Sequence, residues 1–400
     1  MKRLALVIPC FLFVFVSFSQ QALWGGSQIV SPEINPDNTV TFRLYAPHAD
    51  NVQLTGDFLP LQQVDLEGYG VVESPGIADL EKGDEGLWIF TTPNPLSPEL
   101  YSYSFIVDGL RVTDPSNVYL NRDISTLSNI FIIDGENSKA RYYRVNDVPH
   151  GTVSRVWYDS PSLGMKRRMS VYTPPGYEDS KDSYPVFYLL HGAGGDEEAW
   201  LALGRAAQIL DNLISEGKAE PMIVVMTNGN AVQSAAPGES SEGLVVPKID
   251  ISRMNRGDFE NSFPDVVDYI DSHYRTKADK QHRAIAGLSM GGFHSLHISK
   301  QYPDMFDYIG LFSAAIFPPG GSSSPVYQDM EEKLKTQFSH SPKLYWIAIG
   351  EKDFLYNDNV VFRKILDDNG FPYVYYETPD GHIWKNWRIY LTEFVPQLFK

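Results

Sequence analysis

Between Thr39 and Asp134 apolar and polar residues alternate in short runs, as in Thr39-Val40-Thr41-Phe42-Arg43-Leu44-Tyr45 and Tyr101-Ser102-Tyr103-Ser104-Phe105-Ile106-Val107. A period of two sets one face of a strand in a core and the other in water. Asp108-Gly109 follows the second run directly, and both residue types tolerate the positive φ of a tight hairpin turn. Residues 21–134 are therefore expected to form an antiparallel β-sandwich of about 110 residues. Residues 135–147 are polar and charged without clear periodicity and read as a linker. From Val148 onward the texture changes. Apolar runs such as Val186-Phe187-Tyr188-Leu189-Leu190, Ile223-Val224-Val225-Met226 and Tyr345-Trp346-Ile347-Ala348-Ile349 suit strands buried on both faces. Helical stretches near 196–216, 259–274, 289–301 and 383–398 separate them, which predicts an α/β domain over 148–400: a mainly parallel sheet with helices on both faces.

The first twenty residues stand apart. Met1-Lys2-Arg3 precedes an apolar stretch from Leu4 to Val16, and small polar residues follow, the pattern of a secretory signal peptide. The stretch is shorter than the roughly 20 residues of a membrane span, and Pro9 interrupts it. The only cysteine, Cys10, lies inside the apolar run and not at a lipid-attachment position after it. A secreted or periplasmic chain with no membrane span after cleavage, and without cysteine, is expected.

Charge narrows the partners. A formal net charge of -17 disfavours nucleic acid and anionic membrane, both of which need positive surface, and leaves neutral or carbohydrate-like substrates. Neither a His-Glu-x-x-His pair nor another close cluster of histidine and carboxylate offers a metal cage, so no metal and no cofactor are expected.

Chemistry concentrates after Arg283. Arg283-Ala284-Ile285-Ala286 leads into Gly287-Leu288-Ser289-Met290-Gly291, and a helical stretch follows. Strand, G-x-S-x-G and helix in that order lift a serine hydroxyl to the top of a sheet on a sharp turn. A serine needs a base to take its proton and a carboxylate to orient that base, and in this arrangement they follow in the order serine, acid, histidine. Of the later histidines, His294 and His297 ride on the helix leaving the turn and His340 precedes a strand. His382, in Asp380-Gly381-His382 after the strand Tyr373 to Glu377, holds the required place. Asp353, just beyond the strand Leu344 to Ile349, is the expected acid, with Glu351, Asp358 and Asp380 as alternatives. Upstream, His191-Gly192-Ala193-Gly194-Gly195 leaves a strand and supplies backbone amides. The amide of Met290, with that of Ala193 or its neighbour, is expected to supply the oxyanion donors.

Together with Trp200, Asn228-Gly229-Asn230, Gly350-x-x-Asp353 and His382-x-Trp384-x-x-Trp387, these motifs resemble carbohydrate esterase family 1, which holds feruloyl and acetylxylan esterases and is related to esterase D and the mycolyltransferases. The resemblance implies an α/β-hydrolase fold, the triad Ser289, Asp353 and His382, and oxyanion roles for Ala193 and Met290. In the first part, Val52-x-Leu54-x-Gly56-Asp57-Phe58, the run ending Asp108-Gly109, and Asp114-Pro115-Ser116-Asn117 resemble the immunoglobulin-like modules of the glycogen-binding carbohydrate-binding class (CBM48). That resemblance leaves open a spacer or a glycan-contacting module. The implied activity is release of ferulate, a related hydroxycinnamate or acetate from feruloylated or acetylated plant polysaccharide or oligosaccharide such as arabinoxylan. A siderophore esterase of the enterochelin type and a non-catalytic glycan-binding protein are the alternatives. Trp200, Trp384 and Trp387 suit core packing as well as an aryl-binding wall, and Trp200 and Trp384 are the candidates for that wall. The unpatterned stretches Ala231 to Asp258 and Phe317 to Ser341 are expected to border the mouth of the site.

Overall fold

The structure, a computed structural model, describes residues 29–66, 70–244 and 254–400. The expected signal segment with Cys10, and residues 245–253 of the loop expected over the site, lie outside the described residues.

The first part is the expected sandwich. One sheet orders Glu33–Ile34, Val40–Tyr45, Leu87–Thr91 and Glu81–Lys82; the other runs Leu120–Asp123, Thr126–Ile132, Leu100–Val107, Val52–Gly56 and Ile77–Asp79. Leu110–Val112 folds back on Leu100–Val107 through Asp108 and Gly109, whose φ values of 49° and 85° are those the turn chemistry called for. Val40, Phe42, Leu54, Trp88, Tyr103, Phe105 and Phe131 fill the space between the sheets. The Asp114-Pro115-Ser116-Asn117 stretch closes a buried network: Tyr103 and Ser31 donate to the Asp114 carboxylate at 2.8 and 2.6 Å, and Asn117 donates to the Tyr103 hydroxyl at 3.1 Å. That motif is therefore accounted for by folding alone.

The second part holds an eight-stranded sheet. Its strands are β1 (Thr152–Ser160), β2 (Met165–Thr173), β3 (Val186–Leu190), β4 (Ile223–Thr227), β5 (Arg283–Leu288), β6 (Tyr308–Phe312), β7 (Leu344–Gly350) and β8 (Val374–Thr378). They are ordered β1-β2-β4-β3-β5-β6-β7-β8, antiparallel as far as the β2/β4 pair and parallel from β4 onward. The helices are α1 (Ala199–Ala202), α2 (Ala206–Ser215), α3 (Asp258–His273), α4 (Met290–Gln301), α5 (Met330–Ser339), α6 (Tyr356–Asp368) and α7 (Trp384–Phe394). Apolar clusters lie on both faces of the sheet, as continuous hydrophobic strands require. This is the α/β-hydrolase fold. Two expectations change in detail. The helix expected over 196–216 breaks where Arg205 takes a left-handed φ of 55°, and the stretch 317–341 ends in α5.

The segment 135–147 is not a free tether. It carries a 3-10 turn, Lys139–Tyr142, and Ala140, Tyr142 and Tyr143 are buried in the same cluster as Trp387, Tyr390 and Leu391 of α7. Asn212 of α2 donates to the carbonyls of Tyr142 and Arg144, both at 3.0 Å. Its charges misled the pattern because Lys139 and Arg141 point outward to Glu393 and Glu216. The sandwich joins the same contact: Leu100 and Ile130 enter that cluster, and buried Arg388 of α7 donates to Glu99 and to the Leu100 carbonyl, each at 3.0 Å.

One buried charge carries a stability prediction. Lys300, near the end of α4, is almost fully buried, its one hydrogen-bond partner among the described residues is the Met330 sulfur at 3.3 Å, and burial, aided by repulsion from Lys333, pushes its pKa down to about 7. An unfolded chain keeps that proton up to the ordinary lysine value of about 10.5, so the penalty is complete below pH 7 and is relieved as pH rises from about 7 to about 10.5. Lys300→Met should raise the melting temperature at pH 7, with a smaller gain at pH 10. An equal gain at both values would show that Lys300 stays protonated in the fold.

Candidate active site

Strand β5 delivers Ser289 to the carboxyl end of the sheet, where α4 begins. Ser289 has φ 53° and ψ -114°, a strained backbone for a residue with a Cβ. Two bonds over-determine it: the Ser289 amide donates to the Phe312 carbonyl at 2.9 Å, and the Ser289 carbonyl accepts from Ala315 at 3.2 Å. The turn demands glycine at 287, because a Cβ there would lie 2.4 Å from the Gly291 carbonyl carbon. Met290 is the first residue of α4, so its amide has no acceptor within the helix.

Asp353 follows β7 and is buried. Its amide donates to the Gly350 carbonyl at 3.0 Å, and its carboxylate accepts the Leu355 amide at 2.9 Å, which fixes the side chain's direction. The loop after β8 brings His382 against it: Nδ1 stands 3.0 and 2.9 Å from Oδ1 and Oδ2 of Asp353. This close approach needs glycine at 350, where a Cβ would overlap the Asp380 carbonyl. With Nδ1 donating to the carboxylate, Nε2 is left as the acceptor. The imidazole is held between Phe354 and Trp387, with ring centroids 4.5 and 5.0 Å away.

Ser289, His382, Ala193 and Met290 line one cleft of about 1030 Å³. The other candidates lie elsewhere. His294 is buried on Glu260 at 2.7 Å, His297 is buried facing the Ile316 carbonyl, and His340 pairs with Asp304. Glu351 and Asp358 are exposed, and Asp380 is paired with Lys385 at 2.8 Å. Asp353→Asn should accordingly lower turnover about 10³- to 10⁴-fold by presenting the wrong histidine tautomer, while Asp358→Asn leaves it nearly unchanged. The reverse ranking in a steady-state assay would move the acid to Asp358.

Of the two tryptophans expected at the wall, Trp384 lines the cleft, and so does Trp387. Trp200 does not. It is 1% exposed, donates its indole N–H to the Leu190 carbonyl at 2.9 Å, and meets Trp384 edge-on from behind. It is a core residue, large and apolar enough to sit wholly inside once its one polar atom is satisfied.

Several wall residues gave no signal in the pattern. Met254 and Pro319 come from the two loops expected at the mouth. Phe354, 75% exposed, was hidden beside the acid it follows. Arg122, Asp123 and Ile124 belong to the hairpin of the sandwich, reach the cleft across the domain boundary, and anchor there through the ion pair of Arg122 with Asp196. Ile124 has φ 53°, rare for a β-branched residue. Behind the wall, buried Arg168 donates to Glu197 at 2.8 Å, and Glu197 accepts from the Ala236 amide and from Asn228. That network ties the Gly-rich loop to the chain following β4.

Comparison with known proteins agrees with the fold. The family described as "Esterase: Putative esterase" matches residues 160–398. The endo-1,4-beta-xylanase/feruloyl esterase of Xylanibacter ruminicola is 32% identical over 299 residues, 74% of this chain, and the chain spans 37% of that protein's length. A ferulic acid esterase of known structure is 26% identical with a TM-score of 0.50, over 62% of this chain and 98% of that one. The enterobactin esterase of Shigella flexneri is similar in fold across both parts, with a TM-score of 0.62 at 14% identity over 90% of this chain and 92% of its own. Because the family match alone takes in more than half of the sequence, from the end of β1 to beyond the last helix, the chain belongs to this esterase family.

Proposed function

We propose that the chain is an exported serine carboxylesterase that releases hydroxycinnamate, ferulate foremost, or acetate from plant cell-wall polysaccharide such as arabinoxylan. The observation that carries it is the pairing of buried Asp353 with His382 at 2.9 Å in the cleft that strained Ser289 also lines. The Ser289 hydroxyl attacks the ester carbonyl as its proton passes to His382 Nε2. The amides of Ala193 and Met290 hold the oxyanion, each worth about 3 kcal/mol of barrier. The imidazolium then gives that proton to the departing sugar oxygen as the ester C–O bond breaks, which releases the sugar hydroxyl and leaves an acyl-serine. Water, deprotonated by the same nitrogen, attacks that acyl group, and the acid and Ser289 are released.

A cleft of about 1030 Å³ walled by Met254, Met290, Ala315 and Trp384 exceeds what an acetyl group fills, which favours an aromatic acyl group. The ferulic acid esterase and xylanase/feruloyl esterase relatives point the same way. The match to the enterobactin esterase over both parts keeps a siderophore ester as the second reading. Methyl ferulate, an acetylated xylan and a ferric-siderophore ester, assayed side by side, separate them. Ferulate release fastest by kcat/KM supports the proposal; turnover of the siderophore ester alone replaces it.

A further inference from the structure

His191 has no part in the acyl transfer above, yet it is buried at the root of the Gly-rich loop. Its Nε2 accepts the Gly229 amide at 2.7 Å. An amide N–H only donates, so Nε2 carries the lone pair and the proton sits on Nδ1. Nδ1 lies 2.7 Å from the Gly192 carbonyl, to which it therefore donates. Burial pushes the ring's pKa down, which keeps it neutral and keeps this tautomer. The Gly229 contact also gives the Asn228-Gly229-Asn230 motif a purpose.

The consequence follows from the peptide plane. The Gly192 carbonyl and the Ala193 N–H belong to one trans peptide, so they point in opposite directions. With the carbonyl drawn back onto His191, and onto the Gly195 amide at 3.1 Å, the Ala193 N–H is turned away from them, and Ala193 lines the cleft that Ser289 shares. Among the described residues no protein acceptor takes that N–H. We propose that His191 is a positioning residue that sets the Gly192–Ala193 peptide for oxyanion stabilisation, with Gly229 fixing its tautomer. This rests on the esterase reading above.

Asparagine places an amide N–H₂ near the Nδ1 position, and glutamine places its amide near Nε2. His191→Asn should therefore keep most of the wild-type kcat, whereas His191→Gln and His191→Phe lose about 10- to 100-fold in kcat with KM changed little, a fraction of what losing a whole donor costs. Affinity for a trifluoromethyl ketone analogue of the ferulate ester, whose hemiketal oxygen occupies the oxyanion position, should fall in step with kcat/KM. A phenylalanine variant with wild-type kcat, an asparagine variant no better than glutamine, or an unchanged analogue affinity would overturn the proposal. Nitrogen-15 NMR of the wild-type imidazole needs no variant to fold: a protonated Nδ1 is expected, and a protonated Nε2 overturns the assignment. Activity surviving in Ser289→Ala would instead remove the esterase reading itself, and the NMR result is independent of it.

Discussion

Ser289→Ala is expected to leave the fold intact and to lower turnover of methyl ferulate about 10⁴- to 10⁶-fold, and His382→Ala to lower it equally, because in the proposed mechanism nucleophile and base act as a unit and either loss removes the whole acyl-enzyme route. The fold is preserved because the strain at 289 is held by backbone bonds to Phe312 and Ala315 that alanine retains. The double variant adds almost nothing to either single one. The residual rate comes from the oxyanion donors and the cleft, which are unchanged. The informative measurement is kcat for all three variants beside their thermal melts. A Ser289→Ala protein that keeps more than about a tenth of the wild-type rate, far above the residual level expected of a triad, takes Ser289 out of the role.

The grouping of the candidate triad at the strand ends was legible in the sequence because its rules are local. A strained turn needs glycines around one serine, and strand ends fix where an acid and a base emerge, so Ser289, Asp353 and His382 could be chosen from pattern and order. The two fold classes were legible for the same reason: period-two runs at Val40–Tyr45 and Leu100–Val107 mark sandwich strands, although Thr41 and Ser104 of the polar set are buried as well, and unbroken apolar runs at Val186–Leu190 and Ile223–Thr227 mark strands buried throughout. What escaped depends on pairing between distant segments. Trp200 and Trp384 have the same chemistry, and only the packing of α1 behind α7 puts one in the core and the other on the wall. Residues 135–147 looked solvated because their charged side chains face out while Ala140, Tyr142 and Tyr143 face in, too short a stretch to show a period. Nothing within Leu120-Asn121-Arg122-Asp123-Ile124 announces a partner some 70 residues further on, yet Asn121 donates to the Ala202 carbonyl at 3.2 Å and Arg122 pairs with Asp196.

These contacts, with the buried cluster shared by the sandwich and the hydrolase, argue against small-ester hydrolysis by the second part alone. A chain beginning at Val148 should fold poorly and lose most of its methyl ferulate activity. It lacks Leu100, Ile130, Tyr142 and Tyr143, which are buried in one cluster with α2 and α7. At about 1.5 to 3 kcal/mol for each large side chain, their loss removes roughly 6 to 12 kcal/mol. A whole domain's stability is only about 5 to 15 kcal/mol, so the fragment is left near the midpoint of unfolding. A chain beginning at Gly135 keeps Ala140, Tyr142 and Tyr143 on the hydrolase and should recover much of that stability. It still lacks the Arg122 to Ile124 wall, so its KM for methyl ferulate should rise while kcat, which the proposed triad of Ser289, His382 and Asp353 would set, changes less. The two fragments thus separate the packing role of the 135–147 segment from the part the sandwich plays in the cleft. Circular dichroism melts and steady-state kinetics on both decide the matter. If the Val148 fragment melts with the full chain and keeps its methyl ferulate rate, the buried contact stabilises nothing essential and the two parts are independent after all. If the Gly135 fragment is folded and keeps both kcat and KM, the hairpin of Arg122, Asp123 and Ile124 is only a neighbour of the cleft and not part of the surface that holds substrate.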